Sequence, residues 1–263
     1  MEFSKAQYEA VLTEINTGLD TFSHQLNGLV PAATAAVNRW FIPPDIQQAV
    51  IALAEECVDV GRALLQVFVD LLKCAVAPIF MFHDAWQWKD IRGEATGISS
   101  SLSEHNLVVD NSEWSGKARD AYVSAASAQA QAAERIGTIA DSTANHLLAC
   151  AAAGAAFYVT LAIVLAKLIT AAITAIAALG SVVFSWAGLL IILEEAGVNT
   201  TIIGTAVATL TTFLTAQAVA MVQLHGEAVD GSKFPGGKWP SPNSSTYNDA
   251  TVTDGDADWS LAG

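Results

Sequence analysis

The sequence predicts an all-α fold on three observations. Apolar residues recur in steps of three and four along the first half of the chain. No stretch alternates apolar and polar residues with a period of two for long, so strands are not expected. Hydrophobic residues make up 52% of the 263 positions and charged residues only 14%. That is well below the usual quarter, so the chain carries more apolar surface than one core needs. The expected architecture is an elongated antiparallel helical bundle containing one helical hairpin. A long apolar helical hairpin and a disordered C-terminal tail follow it.

The first helix is justified by Tyr8, Leu12, Ile15, Leu19, Phe22, Leu26 and Leu29, which fall on one stripe, with Pro31 as its stop. A short turn through "AATAAVNRWFIPPD" ends at Pro43 and Pro44. Asp45 is the expected N-cap of the second helix, with Gln48 three residues on. Its stripe is Ile46, Val50, Leu53, Cys57, Val60, Leu64, Val67, Leu71 and Cys74, widened by Leu65, Phe68, Val69, Leu72 and Val76 toward Pro78. The width means contact with more than one neighbour. The charges Glu55, Glu56, Asp59, Arg62, Asp70 and Lys73 argue against a membrane span here.

After "APIFMFHDAW" a third helix runs through Trp88, Ile91, Ala95, Ile98 and Leu102, and "HNLVVDNS" reads as a turn. A fourth opens after Trp114 on the stripe Ala118, Tyr122, Ala125, Gln129, Ala132, Ile136, Ile139, Thr143 and Leu147. Its small residues allow a partner helix to approach closely. Composition then changes. Leu147 to Ala166, Leu168 to Leu193 and Ile202 to Leu224 hold no charge until Glu194 at the end of the second stretch. Each is close to the ~20 residues that cross a bilayer. Lys167 stands alone between two of them, fitting a break between spans or a site facing a water-filled lumen. "AGVNTT" reads as a turn. From Gly226 the chain is rich in Gly, Pro, Ser, Asn and Asp and reads as a disordered acidic tail.

Three regions follow from this: an amphipathic helical part over 1–145, an apolar helical hairpin over 146–225, and the tail over 226–263. The residues expected to face a membrane or other copies are Leu147, Phe157, Leu161, Lys167, Ile173, Leu189, Ile203 and Leu210. Two solutions remain open for them, insertion into a bilayer as pore or anchor, or burial in a soluble helical oligomer.

The stretch "NSEWSGKARDAY" carries the one recognisable motif. Gly116 permits close backbone approach or positive φ, and the Trp114 ring can cover the open end of a two-helix seam. With Trp114, Ser115 and Gly116 as turn, and Ala118, Ala121 and Tyr122 after it, the segment over about 82–147 resembles the WXG-type proteins of the type VII (ESX) secretion system. The resemblance implies a helical hairpin packed through Trp88, Ile91, Ile98, Leu102, Ala118, Tyr122, Ala125, Ile136 and Ile139. It also implies a secreted or cell-surface location without a conventional signal peptide. "MEFSKAQYEA" agrees with that expectation, lacking a basic segment followed by an apolar one. The family's Y-x-x-x-[DE] export signal is not matched, since Ala162 follows Tyr158 and Thr251 follows Tyr247 at that spacing.

Several functions are disfavoured. A net charge of −14 with 12 Lys and Arg argues against nucleic acid and against attraction to anionic membrane surfaces, leaving hydrophobic insertion. No His lies near a nucleophile elbow or a paired carboxylate, and His83-Asp84 reads as a helix cap, so no enzyme is expected. No P-loop order and no metal-ligand spacing occurs, so no cofactor, metal or small-molecule substrate is expected. Cys57, Cys74 and Cys150 read as small core residues. The first two lie roughly 25 Å apart along one helix, too far to bridge. The expected function is non-enzymatic: a type VII-like protein that self-associates and inserts into membranes. The alternative is a soluble chaperone or carrier that binds a second helical secretion partner. A phage or plasmid membrane protein that only mimics the motif is a third reading.

Overall fold

The computed structural model describes residues 4–39, 42–103, 107, 117–180 and 187–241. Among the described residues all regular structure is helical. Helices α1 (Lys5–Val37), α2 (Pro44–Leu72), α3 (Ala77–Ser101), α4 (Lys117–Gly180) and α5 (Ala187–Ala228) are followed by two short 3₁₀ turns, Gly231–Lys233 and Pro235–Gly237. The chain forms two compact units. One joins Met1–Phe82 to Ala149–Ala216, and the other joins His83–Leu148 to Gln217–Gly263. Both the expected division at residue 145 and the boundary between the two units fall inside α4, which runs unbroken there.

In the first unit the heptad stripe of α1 is buried as its spacing requires, through Tyr8, Ile15, Phe22, Leu26 and Leu29. Pro31 does not end the helix. It lies inside α1, which continues for six residues to Val37. Proline removes one backbone hydrogen bond at a cost of ~3 kcal/mol. Burial of Ala33, Ala36 and Val37 on the same stripe offsets it.

Helix α2 departs from its expected start, and its buried face keeps Val50, Cys57, Leu64 and Phe68 of the expected stripe while adding small residues. Pro43 takes the cap position and Pro44 the first helical turn, where a missing N–H costs nothing. Asp45 therefore sits inside the first turn, beside the positive end of the helix dipole. Gln47, not Gln48, reaches back, its Nε2 donating to Ile42 O at 2.9 Å. The buried face is Val50, Ala54, Cys57, Val58, Gly61, Leu64 and Phe68, while Ile46, Val67, Val69 and Val76 are exposed. The helix has turned its smallest residues inward so that α1 can approach. A Cβ added at Gly61 would lie 2.5 Å from Leu26 Cδ2. Of the cysteines, Cys57 is buried, Cys150 half-buried and Cys74 exposed beyond the end of α2, so the expected core role fits only the first.

The end of α2 is held by two tyrosines. Tyr158 Oη donates to Leu71 O at 2.8 Å and Tyr8 Oη to Ala75 O at 2.7 Å. The two rings meet edge to face, 5.8 Å between centroids. One hydroxyl, from α4, thus reaches the last turn of α2, and the other, from α1, reaches the turn that follows it. Burial pushes the Tyr8 phenol above its ordinary titration range, with Tyr158 adding to the effect. Tyr158→Phe is expected to cost about 1 kcal/mol in denaturant unfolding, since it removes one hydrogen bond to Leu71 O without removing the ring.

The first unit's part of α4 buries Phe157, Leu161, Val164, Leu165, Leu168, Ala172, Ala175 and Leu179 at helical spacing. Lys167 does not break the helix. "AGVNTT" is likewise no turn but the interior of α5. Thr200 and Thr201 donate their hydroxyls to the carbonyls four residues back, so they do not compete with the helix.

In the second unit the buried residues of α3 and α4 are small. Ala85 and Ala95 on α3 are buried, as are Ala126, Ala132, Ala133, Ala140 and Ala144 on α4. A Cβ added at Gly137 would lie 3.7 Å from Ala95 Cβ. Helix α3 starts at Ala77, ahead of the expected point, so His83 and Asp84 lie in its interior rather than at its cap.

The tail is ordered for longer than its composition predicts. Residues 226–241 are described, and they are tied to α4. Arg135 Nη1 pairs with Glu227 at 3.4 Å, Lys233 Nζ donates to Gln131 Oε1 at 2.8 Å, and Gln129 Nε2 donates to Pro240 O at 2.7 Å. Gly236 and Gly237 adopt φ of 63° and 71°, the left-handed region that glycine enters without strain.

Candidate membrane and self-association surface

Helix α5 carries the least explained surface of the molecule. Ile202 to Leu224 is uncharged. In the first unit no side chain from Gly204 to Ala216 is buried, and Val198, Val207 and Leu214 stand exposed. In the second unit none from Gln217 to Gln223 is buried, and Val222 is 71% exposed. The polar residues in this run are mostly threonines. Thr205, Thr209, Thr212 and Thr215 each donate to the carbonyl four residues earlier, at 2.8–2.9 Å. The hydroxyls are thereby satisfied within the helix, the condition for apolar surroundings.

Three helical runs are long and apolar enough to cross a membrane: Pro44–Ser101, Arg119–Gly180 and Leu189–Lys233. They differ in how far the chain itself covers them. The most apolar stretch is 44% buried in the second run but only 6% in the third. A soluble monomer rarely leaves such a face bare.

A second feature lies in the first unit, where α1, α4 and α5 border an open groove of about 610 Å³. Val159, Ile163 and Ile191 give it apolar walls, and Glu14, Lys167 and Glu195 put charge of both signs into it. Among the described residues Lys167 makes no ion pair.

The residues expected at a membrane or oligomer face divide. Phe157, Leu161, Leu189 and Ile203 are buried in the first unit's own core. Leu147 and Leu210 are half-buried, and Lys167 and Ile173 are exposed. Of the expected hairpin residues, Trp88, Leu102, Ala125, Ile136 and Ile139 are half-buried, whereas Ile91, Ile98 and Tyr122 are exposed. The fully buried apolar side chains of α3 and α4 in the second unit are alanines instead. Trp114, Ser115, Gly116 and the side chain of Ala118 lie outside the described residues.

The second unit contains a polar network that sequence patterning missed. Asp141 Oδ1 accepts from Lys89 Nζ at 2.6 Å and forms an ion pair with Arg92, whose Nε lies 3.2 Å away. Asn145 accepts from Lys89 Nζ at 2.9 Å and donates to Asp141 Oδ2 at 3.2 Å. The hydrogen bond from Lys89 holds the Asp141 carboxyl below its ordinary range. A depressed carboxyl adds stability above its unfolded pKa, and that contribution is lost as pH falls through the folded value. The α3–α4 link of this unit is therefore expected to loosen below about pH 4, the unfolded Asp value. Hydrogen exchange of α3 amides between pH 5 and pH 3 reads it out, with Asp141→Asn removing most of the difference.

Chemistry at the remaining polar sites is sparse. His83 Nδ1 lies 3.6 Å from Asp84 Oδ1, with both side chains exposed. His146 Nδ1 lies 2.6 Å from Gln217 Oε1, a link between α4 and α5 within the second unit. Among the described residues no group of three His, Cys, Asp or Glu side chains is placed to hold a metal ion. No protein family, curated protein or solved structure matches the chain.

Proposed function

We propose that this chain is a non-enzymatic helical protein of the type VII secretion kind, exported or held at the cell surface, which self-associates and inserts into membranes as a pore or anchor. The observation that carries the reading is the part of α5 from Gly204 to Gln223, an uncharged run with its threonine hydroxyls satisfied internally and no side chain buried by the chain. Lipid and a neighbouring copy are the two hosts that cover such a face without unpaired polar groups. The W-x-G hairpin belongs to this proposal through the order of the chain, since Trp114 to Gly116 fall between α3 and α4.

Flotation with phospholipid vesicles tests the reading. The full chain is expected to rise with the vesicles and to release a trapped dye if it forms a pore, or to rise without release if it anchors. Recovery at the bottom of the gradient, as folded protein, contradicts it. One observation favours a second reading, the soluble carrier: Ile91 and Ile98 on α3 of the second unit are exposed, an apolar edge for a helical partner. That reading expects a stable complex with a partner chain and no vesicle binding.

A further inference from the structure

We infer that the groove between α1, α4 and α5 of the first unit is the seat of a second copy of this chain, docked so that Lys167 of each copy lies against Glu14 and Glu195 of the other. The inference deepens the proposed function and rests on its self-association half.

Three observations point to a copy rather than to another occupant. The outward stripe of α4 that floors the groove runs Val159, Ile163, Ala166, Thr170 and Thr174, mostly small or short, so a second helix can come close. Thr170 and Thr174 donate to Ala166 O and Thr170 O, each at 2.8 Å, and need no outside partner. The charges decide the occupant. Lys167 on the floor and Glu14 on one wall form no ion pair among the described residues, while Glu195 on the other wall accepts only from Asn199 Nδ2 at 3.2 Å. A two-fold related copy brings the same three charges, so each ammonium meets carboxylates from the facing walls. Such an isologous surface is self-complementary by construction. A lone acyl chain would cover the apolar walls but leave the lysine and both carboxylates unmatched.

The test exchanges the charges between chains. Full-length protein in a mild nonionic detergent is weighed by light scattering, and helicity is checked for each variant. Wild type is expected at the paired mass or a multiple of it, and Lys167→Arg likewise. Lys167→Glu alone and Glu14→Lys/Glu195→Lys alone are each expected to fall to the single-chain mass. An equimolar mixture of the two is expected to regain the paired mass, which only folded chains can do. Retention of the wild-type mass by either variant, a mixture that stays unpaired, or a wild type at single-chain mass overturns the inference. Vesicle flotation of wild type runs alongside. A wild type that floats while the variants keep its mass removes the groove and leaves the membrane reading standing. A wild type that fails to float while the exchange behaves as expected removes the membrane reading and leaves the groove.

Discussion

Val207→Arg combined with Leu214→Arg is expected to abolish vesicle association while leaving the fold intact. Both side chains sit on α5 of the first unit and are 37% exposed. An arginine at the centre of an inserted helix costs ~2.5–3.5 kcal/mol on insertion scales, so one alone lowers partitioning by about a hundredfold. Two take it beneath the reach of a flotation assay. An exposed substitution that breaks no packing changes stability by only ~0.5 kcal/mol. Thermal unfolding should therefore be unchanged, and the loss then belongs to the membrane step. Unchanged flotation of the double variant would move the host of α5 from lipid to protein.

Phe68→Ala is expected to act in the opposite way. Phe68 on α2 is fully buried in the first unit's core, as is Phe22 on α1. Truncating such a ring removes its transfer energy and leaves a cavity, ~3–5 kcal/mol together. That is a large part of the 5–15 kcal/mol that holds a typical domain. Denaturant unfolding of the full chain should show the unfolding free energy fall by that amount, with a lower midpoint. Val69→Ala serves as the control: Val69 is 47% exposed on α2 and outside the groove, so its truncation should cost little in the same unfolding measurement.

The helical class and the α1 stripe were legible because their signal is periodic and local. Tyr8, Ile15, Phe22, Leu26 and Leu29 occupy the buried face that their spacing demands. The stops were less legible. Pro31 and "AGVNTT" each carry a local preference for a break, and burial of flanking residues over many turns outweighs it, while the charge of Lys167 does not interrupt the helix at all. On α2 the expected stripe holds at Val50, Cys57, Leu64 and Phe68, while close packing on Leu26 brings in Gly61, whose place on the core face apolar spacing does not reveal. Sequence pattern also located the apolar surface without resolving it. Phe157 and Leu161 share a stripe with the core, while Val159 and Ile163, on the same helix, face away. Only the neighbours of α4 in space separate the two sets. The tail over 226–241 was misread for a different reason. Its Gly and Pro set a specific turn, and Arg135, Gln129 and Gln131, distant in sequence, supply the anchors.

The most direct measurement is the mass of the full chain by sedimentation in plain buffer, with and without phospholipid vesicles. The account expects the protein to move with the vesicles, and to form assemblies of several copies when they are withheld. A single-chain species that is folded, monodisperse and indifferent to vesicles would contradict it, because α5 would then stand bare in water.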